Sequence, residues 1–284
     1  MLTDQQVDRA RRLALTLAGI ELLDRHRPLL ESRGRRLGVG AGADFDALLD
    51  LAERGDPGAG RLFIRLVTTQ FTGFFRHPRH FEIAAEHALG AIAARGGARL
   101  WSAAASTGEE PYSLAMAIIE RCDPGSRPAA AILATDIDAE ALEVATRGEY
   151  GDGALASLGQ GRRERFFSEP AGAGRWRISP EVRRMVEFRP LNLAGVDWSL
   201  EGPLDVVFCR NLLMYLETGH RYAVLERIAS LLAPGGLLIV DPAEHLWKAG
   251  HWFESAGDGV YRRRRVAADI PGRKQAWMAQ GRKG

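Results

Sequence analysis

The sequence predicts an α/β fold in which a mostly parallel sheet, flanked by helices, follows a small all-helical domain. Three observations predict it. Residues 1–95 carry apolar positions at helical spacing and hold no strand-like run. Beyond them, the short apolar runs "RLWSAAAS", "AAILATDID", "VEFRPLN", "LDVVFCRN" and "GGLLIVDPAE" end in polar residues, and helical stretches separate most of them. Finally, "HWFESAGDGVYRRRR" sets a Gly-Asp-Gly turn before "VYRR", the signal of an antiparallel hairpin at a sheet edge.

The elements follow in order. Within residues 4–32 the apolar positions Val7, Leu13, Leu17, Ile20, Leu23 and Leu30 keep helical spacing, with breaks expected at Gly19 and Pro28. "DFDALLDLAERGDPGAG" reads as a short helix capped by Asp44 and ended at Gly55. "RLFIRLVTTQFTGFFR" and "HPRHFEIAAEHALGAIAARGG" continue the helical pattern. The expected organisation is a helical N-terminal domain over 1–75, an α/β domain over 76–265, and a flexible basic tail over 266–284 that lacks periodicity.

Composition narrows the classes. A chain of 284 residues has room for one large or two modest domains, and its apolar and charged fractions are those of an ordinary globular protein. Cys122 and Cys209 stand far apart and fit neither a disulfide nor a metal spacing, which points to a reducing compartment and no metal. "MLTDQQVDRARR" has no signal-peptide core, and no apolar run approaches the roughly 20 residues that cross a bilayer, so the reading is cytoplasmic and not membrane-inserted. The net charge of +2 is unevenly spread: residues 1–40 hold eight arginines against five acids, and residues 261–284 hold eight Lys/Arg against one Asp. A basic N-terminal face suits an acidic partner surface; a solvated face and a frayed tail account for the charge equally well.

"WSAAASTGEEPYSLAM", residues 101–116, carries the chemistry. A strand over Leu100–Ala105 leads through "STG" into a helix whose first turn accommodates Pro111. The small residues Ala103, Ala104, Ala105 and Gly108 would let a ligand approach the backbone closely. Glu109 and Glu110, however, would repel a pyrophosphate at the helix start. A ligand with an ammonium and a sulfonium would be attracted instead, and S-adenosylmethionine carries both. Asp136, closing "ATDID" some 28 residues past Gly108, stands near where dinucleotide folds place a ribose-binding acid. It could equally cap the next helix, although Asp138 serves that role better.

The stretches "TGFFRHPRHF", "RLWSAAASTGEEPYSLAM", "ATDIDAEALEVATRGEY", "VEFRPLNL", "DVVFCRNLLMYL" and "LLAPGGLLIV" together resemble the CheR family, S-adenosylmethionine-dependent methyltransferases that esterify chemoreceptor glutamates. The resemblance spans roughly residues 5–262 and is weaker in "GIELLDRHRPLLESRGRRLG". It implies an α/β, Rossmann-like methyltransferase sheet, mostly parallel with an antiparallel edge hairpin. It places Thr72, Arg76, Glu110, Asp136, Asn192, Leu193, Arg210 and Asn211 at the cofactor site, joined by Ala104 of the small-residue loop and by Gln70, where the family usually has Asn. Arg76 and Tyr215 fall on positions that shape methyl transfer, and these two are the expected catalytic residues. Asn192 and Leu193 could offer an amide and a backbone group to an adenine edge, while Arg76 and Arg210 have fork geometry for a carboxylate. As a residue pattern alone, Arg76 reads as well as a helix cap, and Tyr215 as a core tyrosine.

Two departures stand out. "VDPAEHL" at 240–246 puts Asp241, Pro242 and Ala243 where the family typically has glycine, histidine and serine, keeping only Glu244. "FFSEPAGAGRWRISPEV" looks short for the small β-subdomain inserted there in the family. The resemblance implies methyl transfer to the cytoplasmic helical domain of a chemoreceptor by a monomer, with S-adenosylhomocysteine as product, and Arg33, Arg35 and Arg36 docking the receptor's acidic surface. A methyltransferase with another substrate, or a non-catalytic cofactor-binding signalling module, stays open. Nucleic acid is disfavoured, because "CRNLLMY" lacks the "NPPY"-like pattern and no aromatic-basic platform is seen.

Overall fold

The computed structural model describes residues 1–68, 72–168, 174–246 and 249–265. Four helices open the chain: α1 (Asp4–Ala18), α2 (Arg27–Arg36), α3 (Ala43–Glu53) and α4 (Pro57–Val67). Thr3 and Gln6 form a reciprocal capping box at the start of α1, and Gly19 ends that helix in the left-handed conformation at φ 64°. Pro28 sits in the first turn of α2, where no amide donor is needed. The apolar stripe of α1 (Val7, Ala10, Leu13, Ala14) packs with Phe45, Leu49, Phe63 and Leu66 in a core of its own.

Two local expectations change here. Asp44 does not cap α3: Gly42 takes that position at φ 81°, and Asp44 falls inside the first turn, where the helix dipole favours an acid. Arg33 is buried, with Nη1 donating to the Leu66 carbonyl at 3.1 Å, so it ties α2 to the end of α4 rather than facing a partner. Arg35 and Arg36 are exposed.

After α5 (Pro78–Arg95) strands and helices alternate: β1 (Ala98–Ser102), α6 (Glu109–Ile119), β2 (Ala130–Asp136), α7 (Ala139–Arg147), then β3 (Glu149–Gly151), α8 (Asp152–Leu155), α9 (Gln160–Phe166), β4 (Phe167–Ser168), β5 (Arg175–Ile178), α10 (Pro180–Arg183), β6 (Val186–Pro190), β7 (Leu204–Phe208), α11 (Thr218–Leu231), β8 (Leu232–Ile239), β9 (Phe253–Gly257) and β10 (Val260–Arg263). Seven strands form one sheet in the order β6-β2-β1-β7-β8-β10-β9. The pairs from β6 to β8 are parallel, and β10 and β9 add the antiparallel edge about the Gly257-Asp258-Gly259 turn. Strand alternation sends Leu100, Val206 and Phe208 into a core with Phe81, Ala84 and Ala88 of α5, while Trp101 and Val207 enter a second core with Leu225 and Ile228 of α11.

Strands β3, β5 and β4 make a separate three-stranded antiparallel sheet, so the inserted stretch does form a small β-subdomain, with short outer strands. The order reverses at β1, whose neighbours are β2 on one side and β7 on the other. Crevices at the carboxyl ends of such strands are where open α/β sheets bind ligands.

Candidate active site

β1 ends at Ser102, three residues earlier than the sequence suggests. Ala103 and Ala105 remain anchored, donating to the carbonyls of Phe208 at 2.8 Å and Thr135 at 2.9 Å. The chain then turns through Ser106 at φ 49° and Gly108 at φ 97° into α6. A Cβ on Gly108 would stand 2.8 Å from the Ala145 Cβ and 2.9 Å from the Tyr150 hydroxyl. That glycine is therefore required by the packing of α7 and the small sheet, whereas Ala103 and Ala104 line the cleft. Helical rotation also separates the two acids. Glu110 faces the cleft, and Glu109 turns aside to accept from the Thr107 hydroxyl at 2.7 Å.

Glu110 is held from two directions. Its Oε1 accepts from Ser102 Oγ at 2.8 Å and its Oε2 from Arg210 Nη1 at 3.2 Å. Burial pushes the Glu110 carboxyl above its usual range, although Arg210 and Ser102 pull the other way. Arg210 stands just past the end of β7, and its Nε and Nη2 are buried without a hydrogen-bond partner among the described residues. Such orphaned guanidinium donors fit an anionic ligand group.

Asp136 closes β2. Its Oδ2 accepts the Ser106 amide at 2.8 Å, its Oδ1 accepts the Asp138 amide at 2.9 Å, and burial raises its pKa. Asp138, not Asp136, caps α7, accepting the amides of Glu140 and Ala141. The capping alternative for Asp136 thus falls away, leaving a half-buried carboxylate at the rim of the cleft.

The opposite wall comes from the N-terminal helices, which sequence reasoning did not place at the site. Asn192 Nδ2 donates to the Leu17 carbonyl at 2.7 Å and its Oδ1 accepts the Ala194 amide at 3.0 Å, so this side chain joins the two cores. Ile20 forms a β-bridge with Leu216, flanked by Glu21 N–H to Tyr215 O at 2.8 Å and Glu217 N–H to Gly19 O at 2.9 Å. Ala18, Ile20, Val67 and Thr68 consequently line the cleft. The clearest sequence signal for this closure is Gly19, whose added Cβ would lie 2.9 Å from the Ala194 Cβ.

Arg76, also in the lining, precedes α5, whose N-cap is His77, so Arg76 caps no helix. Asn211 adopts φ 56°, and Glu244 organises the loops around it by accepting the amides of Asn211, Met214 and Asp241, each at 3.1 Å. Tyr215 ends a 3₁₀ turn over Leu213–Tyr215 and is half-buried, its ring packed partly against the N-terminal core.

One cleft, with about 1010 Å³ of empty space including its open mouth, is lined by Thr72, Arg76, Ala104, Glu110 and Asp136 together with Asn192, Leu193, Arg210, Asn211 and Tyr215. Gln70 lies outside the described residues. The family model described as "CheR methyltransferase, SAM binding domain" matches residues 70–262, the span that contributes these ten side chains. The chain belongs to the CheR methyltransferase family. It is 37% identical over 265 residues to chemotaxis protein methyltransferase 2 of Pseudomonas aeruginosa, covering 91% of this chain and 93% of that protein. The chemotaxis protein methyltransferase of Escherichia coli is also 37% identical, with 92% and 91% covered.

S-adenosylmethionine is the cofactor of this CheR domain, and the donor set fits it. The buried Glu110 and half-buried Asp136 carboxylates, a floor of alanines and a guanidinium with spare donors match a molecule carrying hydroxyls, an ammonium and a carboxylate. Among the described residues, no helix is long and apolar enough to cross a membrane, and no cluster of three or more His, Cys, Asp or Glu could hold a metal ion.

Proposed function

We propose that this CheR family member esterifies glutamate side chains in the cytoplasmic helical domain of a chemoreceptor, acting in the cytoplasm as a monomer. The observation that carries the reading is the placement of Arg76 and Tyr215 in the same cleft as Asp136 and Glu110. The carboxylates of this lining suit a nucleoside and an ammonium, and its cation and phenol suit an acceptor carboxylate.

In this reading Asp136 accepts from ribose hydroxyls, while Leu193 and Asn192 frame the adenine. Glu110 balances the ammonium and Arg210 the carboxylate, with Thr72, Ala104 and Asn211 completing the site. The cofactor supplies an electrophilic methyl group on a sulfonium. An acceptor glutamate has a pKa near 4.3, so at neutral pH it is already an anion and needs no general base. One of its oxygens forms the new O–C bond as the S–C bond breaks, no proton moves, and S-adenosylhomocysteine leaves. Arg76 and Tyr215 hold the second oxygen and fix the line of attack, and the enclosing walls exclude water.

The product ester has lost a charge, which relieves repulsion between neighbouring acids on a receptor helix and so serves adaptation in chemotaxis. Arg35 and Arg36, exposed at the end of α2, offer a cationic contact for such a helix. The test is single-turnover transfer from labelled S-adenosylmethionine to the cognate receptor's cytoplasmic domain. Base-labile label well above a no-enzyme control supports the reading, and label at the control level overturns it.

A further inference from the structure

Arg76 meets a carboxylate that the chain itself provides. Asp241 Oδ2 lies 3.4 Å from Arg76 Nη2, accepts Asn211 Nδ2 at 2.8 Å, and stands 3.5 Å from His77 Nε2. Its Oδ1 accepts the Ala243 amide at 3.1 Å, and its own amide is held by Glu244. The Asp241 side chain is 9% exposed against 28% for Arg76, so the acid is the fixed partner and the guanidinium the one that reaches into the cleft. Burial opposes its ionisation, but the Ala243 amide, Asn211, Arg76 and His77 together hold its pKa below the usual carboxylate range.

We propose that Asp241 is a positioning and specificity residue for the acceptor: an internal carboxylate that orders Arg76 and Asn211 in advance and offsets the charge an incoming glutamate sees. The proposal rests on the reading of Arg76 as the group that orients the acceptor. Two consequences follow from the geometry. An arginine already paired loses less rotamer freedom when the acceptor arrives, which favours the in-line arrangement. A fixed anion beside the guanidinium also weakens ground-state attraction for a carboxylate, so the acceptor oxygens stay reactive and the acceptor is held loosely. The resemblance places a glycine at this position, so the pairing is a property of this chain's own "VDPAEHL".

The experiment is steady-state methyl transfer to the cognate receptor domain by wild type, Asp241→Asn, Arg76→Ala and the double variant, with calorimetric titration of S-adenosylhomocysteine as a check on folding and on the cofactor site. Asp241→Asn is expected to lower kcat by about tenfold and to lower KM for receptor severalfold, leaving S-adenosylhomocysteine affinity within about twofold. In the Arg76→Ala background the same change is expected to have no further effect on kcat, because Asp241 sets the line of attack through Arg76. Unchanged kcat and KM in Asp241→Asn, or kcat effects that add in the double variant, would overturn the inference while wild-type transfer stands. A wild type that transfers no methyl at all overturns the glutamate reading, and with it the acceptor role of Asp241. Should Asp241→Asn fail to fold, Asp241→Ser carries the same comparison.

Discussion

Glu110 and Arg210 form a buried ion pair, Oε2 to Nη1 at 3.2 Å, that joins the first turn of α6 to the loop after β7 under the cleft. Removing one partner leaves the other as an uncompensated buried charge. Glu110→Ala is therefore expected to destabilise the fold by about 3–5 kcal/mol, and Glu110→Gln by less, since an amide oxygen can still accept from Ser102. Denaturant unfolding measures both, and an alanine variant as stable as wild type would contradict the pair's structural weight.

The same carboxylate sets a pH dependence. Burial raises the pKa of both Glu110 and Asp136, and the ionised forms are the ones that attract an ammonium and accept from hydroxyls. Cofactor affinity is thus expected to be constant above the raised values and to fall as pH drops through them, beginning at a higher pH than for ordinary carboxylates. Each group contributes up to about tenfold per pH unit between its free and its bound pKa. Calorimetric titration of S-adenosylhomocysteine across this range should show the decline, and Glu110→Gln should make it shallower. An acid limb as steep in the variant as in wild type would remove Glu110 from it.

Asp136→Ala deletes the acceptor at the end of β2 while Asp138 still caps α7. Affinity for S-adenosylmethionine and S-adenosylhomocysteine is expected to weaken by about 1–3 kcal/mol, the range for hydrogen bonds to a charged group. The same titration checks it. Equal affinities in a folded variant would take Asp136 out of the site.

The floor of this cleft was legible in the sequence because its residues sit at strand ends, where a change from apolar to polar marks the position. Asp136, Asn192, Arg210 and Asn211 all follow such runs. The N-terminal wall was not legible. Ile20 reads as one more apolar position of a helix, Ala18 and Val67 carry no signal of their own, and only the docking of the N-terminal helices, through Asn192 to Leu17 and Ile20 to Leu216, brings them to the cleft. Arg33 shows the converse: it looks like part of a charged surface run, yet its guanidinium serves the Leu66 carbonyl. In the sequence Gly108 offers room to a ligand, whereas packing fills that room with Ala145 and Tyr150. The Arg76–Asp241 contact joins residues 165 apart in sequence, a distance over which spacing carries no information.

Charge reversal at Arg35 and Arg36 tests the docking face without touching the cleft. KM for the receptor domain is expected to rise, and the salt dependence of turnover to flatten, because exposed charge pairs are the ones that salt screens. S-adenosylhomocysteine affinity is expected to stay the same. Unaltered receptor kinetics and salt response would make this face an ordinary solvated surface.

Delivery of a methyl group to receptor glutamates under the guidance of Arg76 and Tyr215 leaves a chemical mark on the receptor itself. The most direct test is peptide mass spectrometry of the cognate receptor domain after incubation with S-adenosylmethionine and either wild type or Tyr215→Phe. A mass gain of one methyl ester is expected on glutamate-containing peptides, lost on mild alkali, and formed some ten- to a hundredfold more slowly by the variant, whose cofactor affinity is unchanged. Receptor peptides without an alkali-labile methyl, or methyl groups on residues other than glutamate, would contradict it.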